Sequence, residues 1–201
     1  MMALVDYGIG NLRSVEKALV TVGADVCLTS DADQILAADK VVLPGVGAFG
    51  DGMAGLRARG LVEALTAVVA RETPFLGICV GMQLLFEASD ELGDHKGLGF
   101  LSGTVRRFPI AGLKIPQTGW NQLLPARENP LLRGLSPGSY AYFNHSFYCD
   151  PAEAGDVAAH TEYGVRYASV IGRGPLYGVQ FHPEKSQSVG LAILRNFTEI
   201  G

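Results

Sequence analysis

Short apolar runs alternate with helical patterns through the first 80 residues of the chain. Four of these runs predict buried strands, at residues 3–6, 26–29, 40–43 and 75–79. Apolar residues at helical spacing predict helices between them, at residues 11–22, 31–37 and 61–71. Short strands that alternate with helices usually pair in parallel, with helices covering both faces of the sheet.

The second half of the chain has a different pattern. Strand-like segments separated by turn signals lie at residues 103–108, 140–148, 165–171 and 176–181. A last helix is predicted at residues 189–200, where Leu191, Leu194 and Phe197 recur at helical spacing. Because no repeat or linker is visible, we expect one α/β domain over residues 1–201, with a parallel core and antiparallel strands on its C-terminal side.

Composition narrows the classes of function. The 201 residues are 48% hydrophobic and have a mean hydropathy of +0.21, which is too apolar for a disordered chain. The net charge of −4 argues against nucleic-acid binding by phosphate neutralisation. No targeting pattern is visible at the N-terminus, and the longest apolar stretch, residues 75–86, is shorter than the roughly 18 residues of a membrane span. We therefore expect a cytoplasmic protein with no membrane or nucleic-acid partner.

A cysteine flanked by glycines is the main candidate for catalysis. Gly77-Ile-Cys79-Val-Gly81 joins a predicted strand to a helix-like segment at residues 82–86, which is the layout of a nucleophile elbow. A helix that starts just after Cys79 directs its N–H groups at the sulfur and favours the thiolate. The N–H of Val80 is then available to bind an oxyanion. The alternative is a buried structural cysteine.

The other two cysteines have no such setting. Cys27 lies within a strand-like run and Cys149 ends one, so we expect both to be packing residues. None of the three cysteines lies near another cysteine or a histidine at zinc-ligand spacing. We therefore expect no metal site, and nothing in the sequence calls for a cofactor.

His182 is the best candidate for the base that a thiolate nucleophile requires. It closes the apolar run at residues 177–181 and is followed by Pro183 and Glu184. Residues two apart in an extended segment face the same side, so Glu184 can orient the imidazole. The alternative is a solvated histidine and glutamate at the end of a strand.

The combination of these motifs is more specific than either alone. Gly-x-Cys-x-Gly at Cys79, followed about a hundred residues later by His182-Pro-Glu184, resembles the triad-type, class I glutamine amidotransferases, which have a flavodoxin-like α/β fold. Longer stretches are similar to the glutaminase subunits of imidazole glycerol phosphate synthase, in histidine biosynthesis. These stretches are residues 6–12, 44–49, 77–86, 119–121, 142–143, 145–146 and 182–186.

The resemblance implies a chemistry and a partner. Cys79 attacks the side-chain amide of glutamine, His182 protonates the departing ammonia and then activates water, and Glu184 holds His182 in the right tautomer. The ammonia passes to a (β/α)8-barrel cyclase, with which the chain forms a heterodimer. The cyclase makes imidazole glycerol phosphate and a carboxamide ribonucleotide.

The resemblance also implies roles for residues around the triad. The oxyanion is bound by Val80 and by the glycine-rich segment with Val46 and Gly47. The residues that match the glutamine pocket are Gly45, Gly81, Gln83, Glu91, His145 and Ser146. The residues that match the partner-facing surface are Asn11, Trp120, Asn121, Tyr142 and Lys185. Three positions depart from the family pattern: Thr118 replaces a methionine, Asn144 an apolar residue and Phe147 a tyrosine.

Three alternatives stay open. Residues 45–50 match G-x-G-x-x-G, which is the fingerprint of a dinucleotide site, but they follow the third predicted strand and no helix clearly begins within them. The first alternative is therefore a flavodoxin-like nucleotide-binding or regulatory module, in which Cys79 would be inert. A cysteine peptidase on a related α/β fold would use the same elbow, and a glutaminase subunit of another class I amidotransferase would use the same triad.

Overall fold

The computed structural model describes residues 1–109 and 112–201. Within these residues lie six α-helices, α1 to α6 in chain order: Leu12–Thr21, Ala32–Ala37, Phe49–Ala58, Leu61–Ala70, Val80–Gln83 and Gln187–Thr198. The strands, β1 to β14, are Met2–Val5, Val26–Thr29, Lys40–Leu43, Phe75–Ile78, Phe86–Ser89, His95–Lys96, Leu101–Arg107, Gln117–Gln122, Leu124–Pro125, Tyr140–His145, Phe147–Pro151, Val157–Tyr163, Val165–Arg173 and Leu176–Val179. Single 3-10 turns lie at Pro130–Leu132, Ala154–Asp156 and Pro183–Lys185.

Five parallel strands form the centre of the main sheet, in the order β2-β1-β3-β4-β14. Every residue of β1, β4 and β14 is buried, as expected for parallel strands covered on both faces. The strand β14 comes from the second half of the chain, and its Val179 is in register with Ile78 of β4. This pairing places the residues that follow β14 beside the residues that follow β4.

Strands from the middle and the second half of the chain extend the sheet beyond β14, mostly in antiparallel pairs. The order continues β13-β11-β7-β5-β6, and only β5 and β7 pair in parallel within this part. A separate two-stranded sheet pairs β8 with β10. The predicted α/β fold, with a mostly parallel centre, flanking helices and antiparallel strands from the C-terminal half, is confirmed.

The helix α3 was missed by the sequence interpretation, which treated its glycines as part of an irregular stretch. A Cβ at Gly55 would lie 2.5 Å from the carbonyl oxygen of Tyr7, and one at Gly52 would lie 3.1 Å from the side chain of Leu84. These glycines let the helix approach its neighbours closely, and that packing outweighs their low helix propensity. The argument that no helix begins within residues 45–50 is therefore wrong, because α3 starts at Phe49.

Two predicted elements differ in extent. The segment 82–86 is not one helix, because α5 ends at Gln83 and Phe86 begins β5, where it pairs with Leu101. The segment 140–148 is two strands, because β10 joins the small sheet with β8 whereas β11 joins the main sheet. Its break at Ser146 follows from this change of partner, which local sequence does not encode.

Apolar side chains pack on both faces of the parallel strands. Fully buried aromatic residues reach this core from loops, strands and the helices α3 and α6, and include Tyr7, Phe49, Phe75, Phe181 and Phe197. Within residues 1–109 and 112–201, no helix is both long and apolar enough to cross a membrane.

Candidate active site

Cys79 lies at a sharp turn between β4 and α5. Its backbone φ of +54° and ψ of −113° fall in a region that is strained for a residue with a side chain. Its N–H donates to the carbonyl of Val179 at 2.8 Å, and its carbonyl accepts from the N–H groups of Met82 and Gln83 at 3.0 and 3.2 Å. The turn is therefore held on both sides, as a nucleophile elbow requires.

The glycines around the elbow are required by close backbone contacts. A Cβ at Gly81 would lie 1.9 Å from the carbonyl oxygen of Leu43, and one at Gly77 would lie 2.7 Å from the carbonyl oxygen of Gly81. A Cβ at Gly45 would lie 2.6 Å from the amide nitrogen of Gly81. Gly45 and Gly81 were expected to bind the substrate, but the structure places them in this packed junction and not in the lining of the pocket described below.

His182 and Glu184 form a buried pair behind the nucleophile. The Nδ1 atom of His182 lies 2.9 Å from Oε1 of Glu184, and the backbone N–H of His182 donates to the carbonyl of Tyr142 at 2.9 Å. The segment is not extended as the sequence interpretation assumed, because Glu184 lies in the 3-10 turn Pro183–Lys185. The turn still brings the carboxylate of Glu184 back to the imidazole.

The electrostatics of His182 favour its protonated form. Burial lowers the pKa of His182, but hydrogen bonds to Cys79 and to the carboxylate of Glu184 outweigh that effect and raise the pKa to about 10. An imidazolium beside Cys79 can stabilise a thiolate and can donate a proton to a leaving group.

Cys79 opens into a pocket of about 250 Å³. The predicted site residues that line it are Val46, Gly47, Cys79, Val80, Gln83, Glu91, His145, Ser146, His182 and Lys185. Pro116, Asn144 and Phe147 complete the lining. The pocket lies at the carboxyl ends of β3, β4 and β14, where adjacent parallel strands present their following loops.

Gln180, to which the sequence interpretation assigned no role, lies beside the nucleophile. It is fully buried, and its Nε2 atom is 3.8 Å from the sulfur of Cys79. Its Oε1 accepts from Nε2 of Gln83 at 3.2 Å, and the same nitrogen is 3.0 Å from the carbonyl oxygen of Phe147. The side-chain amide nitrogen of Gln83 thus donates its hydrogen bonds to other groups of the protein. The sequence signal that could have identified Gln180 is its polar side chain within the apolar run at residues 177–181, just before His182.

His145 supports the wall of the pocket. Its Nδ1 lies 2.7 Å from the carbonyl oxygen of Phe147, and its Nε2 lies 3.3 Å from the hydroxyl of Tyr167. Burial lowers the pKa of His145 to about 4, so the imidazole is neutral at neutral pH. Its Nδ1–H therefore donates to the carbonyl of Phe147 and fixes the turn between β10 and β11.

Glu91 supplies a carboxylate to the pocket. One of its oxygens accepts from the backbone N–H of Phe49 at 2.7 Å, at the N-terminus of α3. Burial raises the pKa of Glu91. Lys185 also lines the pocket, so the lining contains both an acidic and a basic side chain.

The exposed face of the small sheet leads from the pocket to the outer surface. Trp120 and Tyr142 are directly opposed on β8 and β10, and their rings are 6.0 Å apart in an edge-to-face arrangement. The Nζ atom of Lys185 lies 5.8 Å from the centre of the Tyr142 ring. Trp120 is 46% exposed, which is unusual for tryptophan and is typical of an interaction surface.

The remaining residues expected at this surface lie in different settings. Asn121 donates from its side chain to the carbonyl of Glu162 at 2.9 Å, so its amide ties β8 to β12. Asn11 is exposed at the N-terminus of α1 and makes no side-chain capping bond. The helix α1 packs against the turn that carries Glu184 and Lys185.

Comparison with known proteins gives a consistent result. A model of the class-I glutamine amidotransferase family matches residues 3–200. The imidazole glycerol phosphate synthase subunit HisH of Moorella thermoacetica is 51% identical over 199 residues, which cover 99% of this chain and 94% of that protein. The same subunit of Dehalococcoides mccartyi is 51% identical, with 98% of this chain and 96% of that protein covered.

A solved structure shows the same fold at low sequence identity. PurLQS from Thermotoga maritima superposes with a TM-score of 0.76 at 18% identity, and the match covers 98% of this chain and 96% of that chain.

Proposed function

Since this chain belongs to the class-I glutamine amidotransferases, and within them to the family of the imidazole glycerol phosphate synthase subunit HisH, we propose that it is the glutaminase subunit of that synthase. The observation that carries the proposal is that Cys79 and His182 line one pocket, while the carboxylate of Glu184 bonds to Nδ1 of His182 behind it. The chain hydrolyses L-glutamine to L-glutamate and ammonia, and the ammonia is used by a cyclase subunit.

The first half-reaction forms a thioester. The thiolate of Cys79 attacks the side-chain amide carbon of glutamine, and the electron pair of the carbonyl moves to oxygen. The N–H of Val80 and the segment with Val46 and Gly47 bind that oxyanion. His182 donates its proton to the amide nitrogen as the carbon–nitrogen bond breaks, and ammonia leaves.

The second half-reaction restores the enzyme. Neutral His182 takes a proton from water, and the hydroxide attacks the thioester carbonyl. The carbon–sulfur bond breaks, glutamate leaves, and Cys79 returns to the thiolate beside a protonated His182. Glu184 keeps the imidazole in place through both steps, because it accepts from Nδ1 and stabilises the imidazolium.

Glu91 is suited to bind the α-ammonium group of the substrate. Its carboxylate is half-buried, fixed by the N–H of Phe49 and present in the lining of the pocket. A cation placed against such a carboxylate forms a charge-assisted hydrogen bond. Gln83, His145 and Ser146 complete the binding site, with Gln83 and His145 acting through the wall that they build.

The partner is a (β/α)8-barrel cyclase bound as a heterodimer in the cytoplasm. The exposed face with Trp120, Tyr142 and Lys185 begins at the pocket, so a partner bound there covers the pocket mouth. That arrangement limits the escape of ammonia to water. Asn11 and Asn121 are proposed as peripheral contacts of the same interface.

Co-expression with the cyclase of the same organism tests this function. We expect a stable complex whose cyclase turnover is supported by glutamine, and a Cys79→Ala complex that responds to ammonium salts but not to glutamine. A wild-type complex that responds only to ammonium salts would contradict the proposal. Cleavage of peptides by the isolated chain would favour a cysteine peptidase instead.

A further inference from the structure

The side chain of Tyr7 lies against the start of the glycine-rich segment at residues 44–48. Tyr7 follows β1, which pairs in parallel with β3, so the loops after these two strands are neighbours. The hydroxyl of Tyr7 donates to the backbone carbonyl of Pro44 at 2.5 Å, and Tyr7 is fully buried. Burial and the charge of a Cys79 thiolate raise the pKa of Tyr7, so its hydroxyl keeps its proton and remains a donor at neutral pH.

Tyr7 also contacts the helix that follows this segment. The helix α3 begins at Phe49, and a Cβ at its Gly55 would lie 2.5 Å from the carbonyl oxygen of Tyr7 and 3.2 Å from its ring. At the other end of the segment, a Cβ at Gly45 would lie 2.8 Å from the Tyr7 hydroxyl. One buried residue therefore braces the backbone both before and after residues 46–48.

The middle of the segment is open. Val46 is 37% exposed, and Gly47 has a φ of +87°. A Cβ at Gly47 would meet no atom within 4 Å beyond its chain neighbours, so packing does not fix the backbone there. Both residues line the pocket beside Cys79. The direction of their N–H groups therefore depends on how the two ends of the segment are held.

The bond to Pro44 controls one of these ends. A peptide unit is planar, so the direction of the Pro44 carbonyl also fixes the direction of the N–H of Gly45. The chain enters residues 46 and 47 from that plane.

We propose that Tyr7 is a positioning residue for the oxyanion site, because its hydroxyl holds the Pro44 carbonyl and thereby sets the direction of the N–H groups of Val46 and Gly47. The inference rests on the proposed glutaminase function. Tyr7 is not part of the pocket lining, so it acts through the segment and not on the substrate.

The test compares two reactions of Cys79 in a variant that lacks only the hydroxyl, Tyr7→Phe. Hydrolysis of glutamine develops negative charge on an oxygen, whereas alkylation by iodoacetamide displaces iodide and forms no oxyanion. Removal of one oxyanion donor slows an enzyme by about 100- to 1,000-fold, and an indirect effect is smaller. We expect kcat for glutamine in the cyclase complex to fall by about tenfold, with KM within about twofold of wild type and the alkylation rate unchanged.

Tyr163→Phe is the matched control. The hydroxyl of Tyr163 also donates to a backbone carbonyl, that of Lys114 at 2.7 Å, and neither residue lines the pocket. We expect kcat and KM to equal those of wild type. Urea denaturation of both variants checks that each is folded under the conditions of the kinetic assays.

A double variant tests whether Tyr7 acts through the segment. Gly47→Ala disturbs the segment directly, because a φ of +87° is strained for alanine. Two changes that act on one structural unit are not independent. We therefore expect Tyr7→Phe/Gly47→Ala to lose less in kcat than the product of the two single losses.

The outcomes separate the inference from the function on which it rests. An unchanged kcat in Tyr7→Phe would overturn the role of Tyr7, and an equal slowing of alkylation would assign the effect to a disturbed elbow. Losses that multiply in the double variant would place the effect outside the segment. Wild-type turnover leaves the proposed function standing in these cases, whereas a wild-type complex that does not hydrolyse glutamine would refute that function and this inference with it.

Discussion

The Nδ1 atom of His182 lies 2.9 Å from Oε1 of Glu184, and both side chains are less than 5% exposed. The carboxylate accepts the Nδ1 proton, so Nε2 is the nitrogen available to Cys79. The base of the proposed reaction is therefore oriented before any substrate binds.

Substitutions in this pair should have unequal effects. His182→Asn removes the proton donor and acceptor, so we expect glutamine-dependent turnover of the cyclase complex to be nearly abolished. Glu184→Gln retains an oxygen near Nδ1, and we expect a loss smaller by about one to two orders of magnitude. Steady-state kinetics at saturating glutamine measure both effects, and wild-type rates in either variant would exclude its proposed role.

Gly81→Ala should disrupt the elbow. The added Cβ would lie 1.9 Å from the carbonyl oxygen of Leu43, and backbone on both sides prevents relief by a side-chain rotation. We expect a loss of about 3 kcal/mol or more in the free energy of unfolding, measured by urea denaturation. Gly155→Ala is the matched control, because a Cβ there meets no atom within 4 Å, and its effect should stay within about 0.5 kcal/mol.

His145 should make stability depend on pH in the acid range. Its pKa is about 4 in the folded chain and about 6.5 when unfolded, so only the unfolded chain binds a proton between these values. This contribution is fully favourable above about pH 6.5 and is lost as the pH falls toward 4. In His145→Gln, the decline in unfolding free energy between pH 7 and pH 4.5 should be shallower than in wild type. Parallel curves for the two proteins would show that His145 is not buried in its neutral form.

Gln180 should increase the reactivity of Cys79. Its Nε2 lies 3.8 Å from the sulfur, and Gln180→Met removes this donor while keeping the volume. We expect alkylation of Cys79 by iodoacetamide at pH 7 to slow by about fivefold. Gln117→Met is the control, because Gln117 is also a buried amide but bonds to Tyr167. Equal slowing in both variants would point to a general packing effect.

Trp120 should contribute strongly to binding of the cyclase. A half-exposed tryptophan beside Tyr142 has the character of an interface hot spot. We expect Trp120→Ala to raise the Kd of the complex about 30-fold, which corresponds to about 2 kcal/mol, in a calorimetric titration. Val20→Ala, at a position that is 56% exposed on α1, should leave the Kd unchanged. A similar Kd for all three proteins would place the interface elsewhere.

Local sequence was sufficient for many of the elements of the first half and for the nucleophile. Apolar spacing and end signals predict the strands β3 and β4 and the helices α1, α2 and α4. These signals can be read locally because the buried side chains of each element are only a few residues apart in the sequence. The glycines around Cys79 also identify the elbow, since only glycine tolerates a backbone contact such as the one between Gly81 and Leu43.

Tertiary structure determines which residues lie beside Cys79. His182 reaches the elbow because β14 pairs in parallel with β4, and a pairing between segments about 100 residues apart leaves no local periodicity. The same register brings Gln180 to the sulfur, and the opposition of β8 and β10 joins Thr118 to Asn144. Local sequence did not reveal the helix α3, because its glycines are required by close contacts with Tyr7 and Leu84, which are distant from α3 in the chain. Residue type and spacing determined which groups the chain carries, but strand register determined which of them meet, because hydrogen bonds between strands fix positions that no single segment specifies.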